Sequence, residues 1–244
     1  MPETMAPEPA PAEARGLVGR LTGVLLAPRA TYADVAASPK VFGVLLVVVL
    51  IMAGLTMTFF STEVGRQALL DQQVRSMESF GRQVTDQQYT RLQQMSKYSG
   101  YMAAAGQVVT MPLMGLVVAG LLFAVFTAAM GGKGTFKQVY AVVAHSAVVF
   151  ALQQCFTLPI AYAKESISSP TNLAVFLPFL DEASFAARAL GAIDLFLIWW
   201  VVSLSIGLGV LYKKRTGPIA VTLLVIYAGI AVVVAAVKTA LAGA

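Results

Sequence analysis

Charge is scarce in this chain, and chemistry-bearing side chains are scarcer. Only 12% of its 244 residues are Asp, Glu, Lys or Arg, against about 25% in an ordinary soluble domain. A chain so poor in charge cannot clothe itself in a solvated surface, which argues for burial in lipid. There is one histidine, His145, and one cysteine, Cys155. A lone cysteine excludes an intrachain disulfide, and no Cys/His spacing suits a metal ion, so neither metal nor cofactor is expected. No nucleophile stands beside a base: Ser146 follows His145 directly, and adjacent helical residues point different ways. Gly131-Gly132-Lys133-Gly134-Thr135 has the look of a phosphate loop but lacks its full spacing and a preceding strand. The residues therefore point away from an enzyme.

What the chain does have is apolar length. Five runs, Val41–Phe60, Val108–Met130, Val139–Ala163, Leu190–Tyr212 and Ile219–Val237, approach or exceed the span a helix needs. About 20 residues cross roughly 30 Å of hydrocarbon at 1.5 Å per residue. The expected fold is all-α, a polytopic membrane bundle of five transmembrane helices with an outer amphipathic helical extension between spans one and two. Cys155 lies inside the third run and is expected to be a buried structural residue.

The domain plan follows from composition. Residues 1–14 are rich in Pro, Ala and Glu and are expected to be a disordered tail. They lack the basic stretch and short apolar core of a cleavable signal. Residues 15–39 carry Leu17, Val18, Leu21, Val24 and Leu25 at three- and four-residue spacings, interrupted by Arg15 and Arg20. We expect an amphipathic segment lying at the interface, or a connector packed under the bundle. Residues 40–244 form the five-span domain, with an extracytoplasmic insertion at 61–99. That insertion places Leu70, Val74, Met77, Val84, Leu92 and Met95 near a three-four rhythm. It reads as one long helix or as a hairpin bent at Gly81. Within it, Leu70, Val74, Met77 and Val84 are the candidate partner-binding residues.

Short loops set the orientation. The Gly131–Lys137 and Lys213–Pro218 turns hold Lys and Arg but no acid, and both share a side with Arg15, Arg20, Arg29 and Lys40. The Lys164–Ser184 loop is acidic, with Glu165, Asp181 and Glu182 against one Lys. Its Leu173–Leu180 stretch, broken by Pro178, should dip into the interface without crossing. The N-terminus is then cytoplasmic and the C-terminus outside, as for a multi-pass membrane protein. The net charge of +5 suits anionic lipid headgroups better than nucleic acid, because the basic residues flank apolar runs.

Four polar residues inside the spans are candidate sites. Asp194 falls about eight residues into the fourth span, which is expected to start near Ala186, at a depth where a charge costs about 2.5–3.5 kcal/mol or more, so it should face the bundle interior or a wet cavity. Gln153 and Gln154 reach a similar depth and are better partners for it than His145, which lies nearer the cytoplasm. His145 should bond to a backbone or side-chain group rather than act as a pH switch. Small residues Gly115, Ala119, Gly120 and Ala124 in span two permit close helix packing, and neighbouring helices can satisfy the carbonyl freed by Pro112. Trp199 and Trp200 lie deep enough to pack against other helices.

Three stretches resemble the Yip membrane-protein family. They are Leu25–Pro39 (LLAPRATYADVAASP), Met130–Val142 (MGGKGTFKQVYAV) and Gly191–Leu208 (GAIDLFLIWWVVSLSIGL). The similarity runs from about Leu21 to Lys238 and is that of a bacterial member. The resemblance implies five spans and a cytoplasmic N-terminus. Eukaryotic relatives bind prenylated Rab GTPases, but their DLYGP-type and GYG-type motifs are absent here, so that role does not transfer. Many relatives carry a proline soon after the small residues of span three, where this chain has His145-Ser146-Ala147-Val148. Some bacterial relatives accompany ABC-type export systems. The expected function is a non-enzymatic integral membrane scaffold or accessory protein working with the bilayer, a membrane transporter partner or a second copy of itself, and without nucleic acid. The alternative is a small permease or proton-linked transporter using Asp194, against which stand the lack of inverted repeats and of paired broken helices.

Overall fold

A computed structural model describes residues 15–79, 82–181 and 184–242. The expected tail at 1–14 and the bend at Gly81 lie outside the described residues. The elements among those residues are all helices, with no strand: α1 Leu17–Leu26, α2 Pro28–Ala37, α3 Phe42–Ser61, α4 Glu63–Ser79, α5 Asp86–Ser96, α6 Ser99–Phe123, α7 Phe136–Ser146, α8 Val148–Ala163, α9 Phe185–Gly191, α10 Leu195–Leu211 and α11 Thr216–Ala242. A π-helical turn, Ala124–Ala129, prolongs α6, and a 3₁₀ turn, Leu173–Phe176, precedes α9.

Four helical stretches are long and apolar enough to cross a membrane: Phe42–Ser61, Ser99–Ala129, Phe136–Ala163 and Thr216–Leu241. The fourth apolar run of the sequence does not form one helix. It breaks at residues 192–194 and leaves α10 with 17 residues, about 25 Å at 1.5 Å per residue. An all-round apolar run carries no periodicity to reveal such a break. Span three needs no proline to change direction: α7 ends at Ser146 and α8 starts at Val148, around a tight turn in which Phe150 N donates to Ala147 O at 3.0 Å.

Span three is the centre of the bundle. In its most apolar 18-residue stretch 56% of the residues are buried, against 11% for the α6 stretch and 17% for α11. Val139, Val142 and Val143 of α7 meet Leu204 and Leu208 of α10, with Ala119 and Leu122 of α6 closing the other side. A second cluster joins Val44 and Val48 of α3 to Ala147, Val148 and Ala151. Trp200 packs its ring on Phe150 at 5.2 Å. Cys155 is exposed, not buried: it sits on the outward face of α8, where a membrane span offers side chains to lipid.

The two N-terminal helices dock into the core at one end of the bundle. Tyr32 and Val35 are fully buried against α7 and α10. The Tyr32 hydroxyl lies 2.7 Å from Ser203 Oγ, and burial pushes it well above its ordinary pKa, keeping it protonated. The arginines that seem to interrupt an interfacial stripe instead fasten α1 to α2. Arg15 Nη1 donates to Thr31 Oγ1 at 2.8 Å and its Nε lies 3.3 Å from Asp34. Arg20, only 2% exposed, donates to Ser38 O at 2.8 Å and Asp34 O at 3.5 Å. A cation is favourable on those last carbonyls of α2. Leu17, Val18 and Leu26 stay on the surface.

At the other end stand α4, α5, the 164–194 connection and the C-terminus. The insertion forms two helices, α4 and α5, the second opened by a capping box of Thr85 and Gln88. Leu70 is 2% exposed, because α4 folds back on α3 and the end of α11, so the apolar stripe that suggests docking is partly spent within the chain. Val74, Met77 and Val84 remain half-buried.

Close packing across the core generates a stability prediction. A Cβ on Gly207 of α10 would fall 2.4 Å from Val142 Cγ1 and 3.0 Å from the Tyr32 ring, whereas Gly54 and Gly229 have open space around them. Gly207→Ala is expected to destabilise the detergent-solubilised protein by about 1–3 kcal/mol, as overpacking does, while Gly54→Ala and Gly229→Ala leave it unchanged or slightly more stable. Thermal unfolding followed by circular dichroism checks this; a Gly207→Ala melting temperature equal to that of the other two would refute the packing account.

Candidate functional site

The polar groups of the apolar segments gather at one level, toward the end that carries α4 and α5. Asp194 is the hub. It is not eight residues inside a helix; it is the N-cap of α10, with its Oδ1 accepting from Phe196 N at 2.8 Å. Aspartate is among the favoured residues there because its carboxylate serves the free N–H groups of the first turn. Gln153 Nε2 of α8 donates to the same oxygen at 3.1 Å. The other oxygen, Oδ2, accepts from Ser169 Oγ at 2.6 Å and Thr171 Oγ1 at 2.7 Å. Both oxygens are thus occupied, by donors from span three, from the 164–172 connection and from α10 itself.

The backbone around Asp194 is tied as well. Asn172 and Asp194 pair as an isolated antiparallel bridge, in which Leu173 N donates to Ile193 O at 2.9 Å and Leu195 N to Thr171 O at 3.0 Å. Tyr227 of α11 completes the knot: its hydroxyl accepts from Asp194 N and donates to Ala192 O, each at 2.9 Å. The groups left free by the broken helix are therefore met by protein, as irregular backbone among apolar helices requires. The Leu173–Phe176 turn and α9 fold over the head of α10 and fill the height that a 17-residue helix leaves open. Phe176, Phe179 and Phe185 face outward there, an apolar surface of the kind the expected dip into the interface would use.

Gln154 turns the other way from its neighbour. Its Nε2 donates to Met52 O at 3.1 Å and makes a short bond to Thr56 Oγ1. Thr56 Oγ1 donates to Gln107 Oε1 at 2.8 Å, and Gln107 Nε2 reaches back to Gln154 Oε1 at 3.5 Å. A closed ring of three side chains thus locks α3, α6 and α8. Because Gln153 and Gln154 are consecutive, the ring and the Asp194 knot form one polar layer touching every apolar segment. Sequence reasoning reaches Asp194, Gln153 and Gln154 but misses Thr56, Gln107, Ser169, Thr171 and Tyr227. Gln107 carried the available signal, a glutamine just ahead of the apolar run of span two.

His145 stands apart from this layer. It is fully buried, with Nδ1 2.7 Å from Ala141 O one turn back. No contact joins it to Asp194. Ser146 bonds Val143 O at 2.8 Å, so the two adjacent residues share no chemistry. No group of three or more His, Cys, Asp or Glu side chains suited to a metal ion occurs among the described residues.

Comparison with known proteins places the chain in a family. A model of the Yip1 domain matches residues 22–237, and the chain belongs to the Yip1 domain family. No curated protein and no solved structure matches it.

The saturated carboxylate makes distinct demands on substitutions. Asp194→Leu would strand Gln153, Ser169, Thr171 and the Phe196 N–H at once, of which Thr171 is buried and the others half-buried, and a stranded buried donor costs about 1–3 kcal/mol. Loss of folded protein on extraction is the expected outcome. Asp194→Asn keeps one acceptor, and the hydroxyls of Ser169 and Thr171 can turn to accept from the new amide, so a drop of about 1 kcal/mol is expected. Melting temperatures in one detergent test the pair; equal stability of the two variants would dismiss the hub role.

Proposed function

We propose that this member of the Yip1 domain family is a non-enzymatic membrane scaffold or accessory protein that crosses a bacterial inner membrane five times, with its α1–α2 end cytoplasmic and its α4–α5 end outside. The observation carrying this reading is the polar layer. Both Asp194 oxygens and all three members of the Thr56–Gln107–Gln154 ring are engaged with the chain's own groups. Saturated networks of this kind rigidify and specify one packing. A permease working through Asp194 would need that carboxylate open to a proton or ligand, and four donors already occupy it. For the fifth crossing, α10 has one terminus in the Asp194 knot and the other, Tyr212, against the 131–135 turn at the opposite end. The basic turns at that opposite end support its cytoplasmic side.

The surface offered to a partner lies between α4, α5 and the first turn of α6. A groove of about 620 Å³ is lined there by Leu69, Met77, Leu92, Met95 and Met102, with Leu70 at its base. Methionine-rich grooves adapt to helical partners. A membrane transporter partner, with an ABC-type exporter as the first to test, or a second copy would insert an apolar helix face here.

Two measurements test the reading. In a Cys155→Ala background, cysteines at Gln93 and Ser168 are expected to react with an impermeant thiol reagent in intact cells, and one at Lys133 only after lysis; the opposite pattern reverses the orientation. Replacing Met77, Leu92 and Met95 together by Ser is expected to release a co-purifying membrane protein, or to convert an oligomer to monomer, while the melting temperature stays within a few degrees. Substrate flux by the purified chain in liposomes, abolished by Asp194→Asn, would sink the scaffold in favour of the permease.

A further inference from the structure

Two connections meet at the end that carries α1 and α2, and a tyrosine fastens them. Residues 131–135 join the π-helical turn to α7, and residues 212–215 join α10 to α11. Tyr212 lies between them. Its ring stacks on Phe126 at 5.1 Å and its hydroxyl sits 2.8 Å from Thr127 Oγ1. It presses so closely on the glycine turn that a Cβ on Gly132 would fall 2.6 Å from a ring carbon, and one on Gly134 2.8 Å. Gly131 adopts φ 67°, a conformation glycine takes freely. The glycines therefore shape a seat for the ring.

The result is one basic surface built from two turns. Lys133 and Lys137 come from the first connection and the start of α7, and Lys213, Lys214 and Arg215 from the second. All five are exposed, and neither connection contains an acid. Among the described residues, the ion pairs are Arg15–Asp34 and Arg66–Glu63, so none of the five is neutralised by a carboxylate.

Lys213 supplies a separate observation. Its φ is 53°, and the next N–H, of Lys214, donates to Gly209 O at 2.9 Å. This is the helix ending whose left-handed position is usually glycine. A lysine there is held in a conformation that its side chain disfavours. Met130, next to the first turn, is exposed, as are Val18, Leu26 and Phe42 of the N-terminal helices and the start of α3, apolar residues of the kind that enter the headgroup boundary. Unpaired cations beside apolar side chains at the end of membrane-crossing helices match a headgroup surface better than a water-borne polyanion.

We propose that the two connections form a single binding site for the phosphate headgroups of anionic phospholipids, assembled by Tyr212. The test uses the full chain in nanodiscs of phosphatidylcholine containing a minor fraction of phosphatidylglycerol. Native mass spectrometry after gentle release reads which lipid stays bound. Phosphatidylglycerol is expected to be enriched over phosphatidylcholine, with enrichment falling as salt rises. Lys133→Gln should lower it by up to about fivefold, the share of one cation near an anionic surface. Lys213→Gly separates binding from folding: it should raise the melting temperature by relieving the backbone, yet reduce enrichment. Gly132→Val leaves every charge in place but unseats Tyr212, and should reduce enrichment too. No preference for phosphatidylglycerol, a preference that survives both Lys133→Gln and Lys213→Gly, or displacement of the lipid by poly-glutamate at equal charge would each overturn the site.

Discussion

The carboxylate of Asp194 can sit among apolar helices only because four donors reach it, and much of the architecture follows from that requirement. A charge placed there alone would cost several kcal/mol. Meeting it takes the N-terminus of α10, a glutamine from α8 and two hydroxyls from the 164–172 connection. The connection must therefore turn back into the bundle, and α10 must start late and be short. The Leu173–Phe176 turn and α9 then occupy the space above it, and Tyr227 brings α11 to the same point. One residue thus sets the length of a helix, the path of a loop and the position of a neighbouring span.

The other half of the bundle is held by the same logic at lower charge. Thr56, Gln107 and Gln154 are neutral, and their ring joins α3, α6 and α8 without a buried ion. Apolar contact alone gives helices in lipid little reason to prefer one register, since lipid tails are as apolar as leucine. Polar side chains at one height supply that register. At the opposite end Tyr32 and Ser203, fully protein-enclosed, do the same for α2 against α10, with Arg20 holding α1 to the C-terminal carbonyls of α2.

Apolar length made the helical, membrane-spanning class plain, and the family resemblance of Leu25–Pro39, Met130–Val142 and Gly191–Leu208 agrees with the match over 22–237. The break before Asp194 was not legible, because Leu190–Ile193 is as apolar as the helix that follows. An aspartate before an apolar run is nonetheless a helix-start signal, and giving it more weight than hydropathy would have placed the N-cap. Spacing put Leu70 on an apolar stripe but could not say that the stripe closes on α3 and α11. For Cys155, residue type favoured burial, while the facing of α8 decided exposure. Depth pairs Gln153 with Gln154; their different facing follows from consecutive positions on one helix, roughly 100° apart.

Rigidity at the polar layer bears on what such a molecule can do. Alternating access moves one group of helices against another around a central site. Here the layer that would have to part contains the ring across α3, α6 and α8 and the knot across α8, α10 and α11, both sharing α8 through Gln153 and Gln154. Opening either side would strand donors and acceptors in hydrocarbon, at a cost that repacking of apolar side chains does not recover. The surfaces with room for variation lie elsewhere: the methionine-lined groove between α4 and α5 at one end, and the basic turns around Tyr212 at the other. A fixed core with adaptable ends is the physical basis on which the scaffold is proposed over the permease.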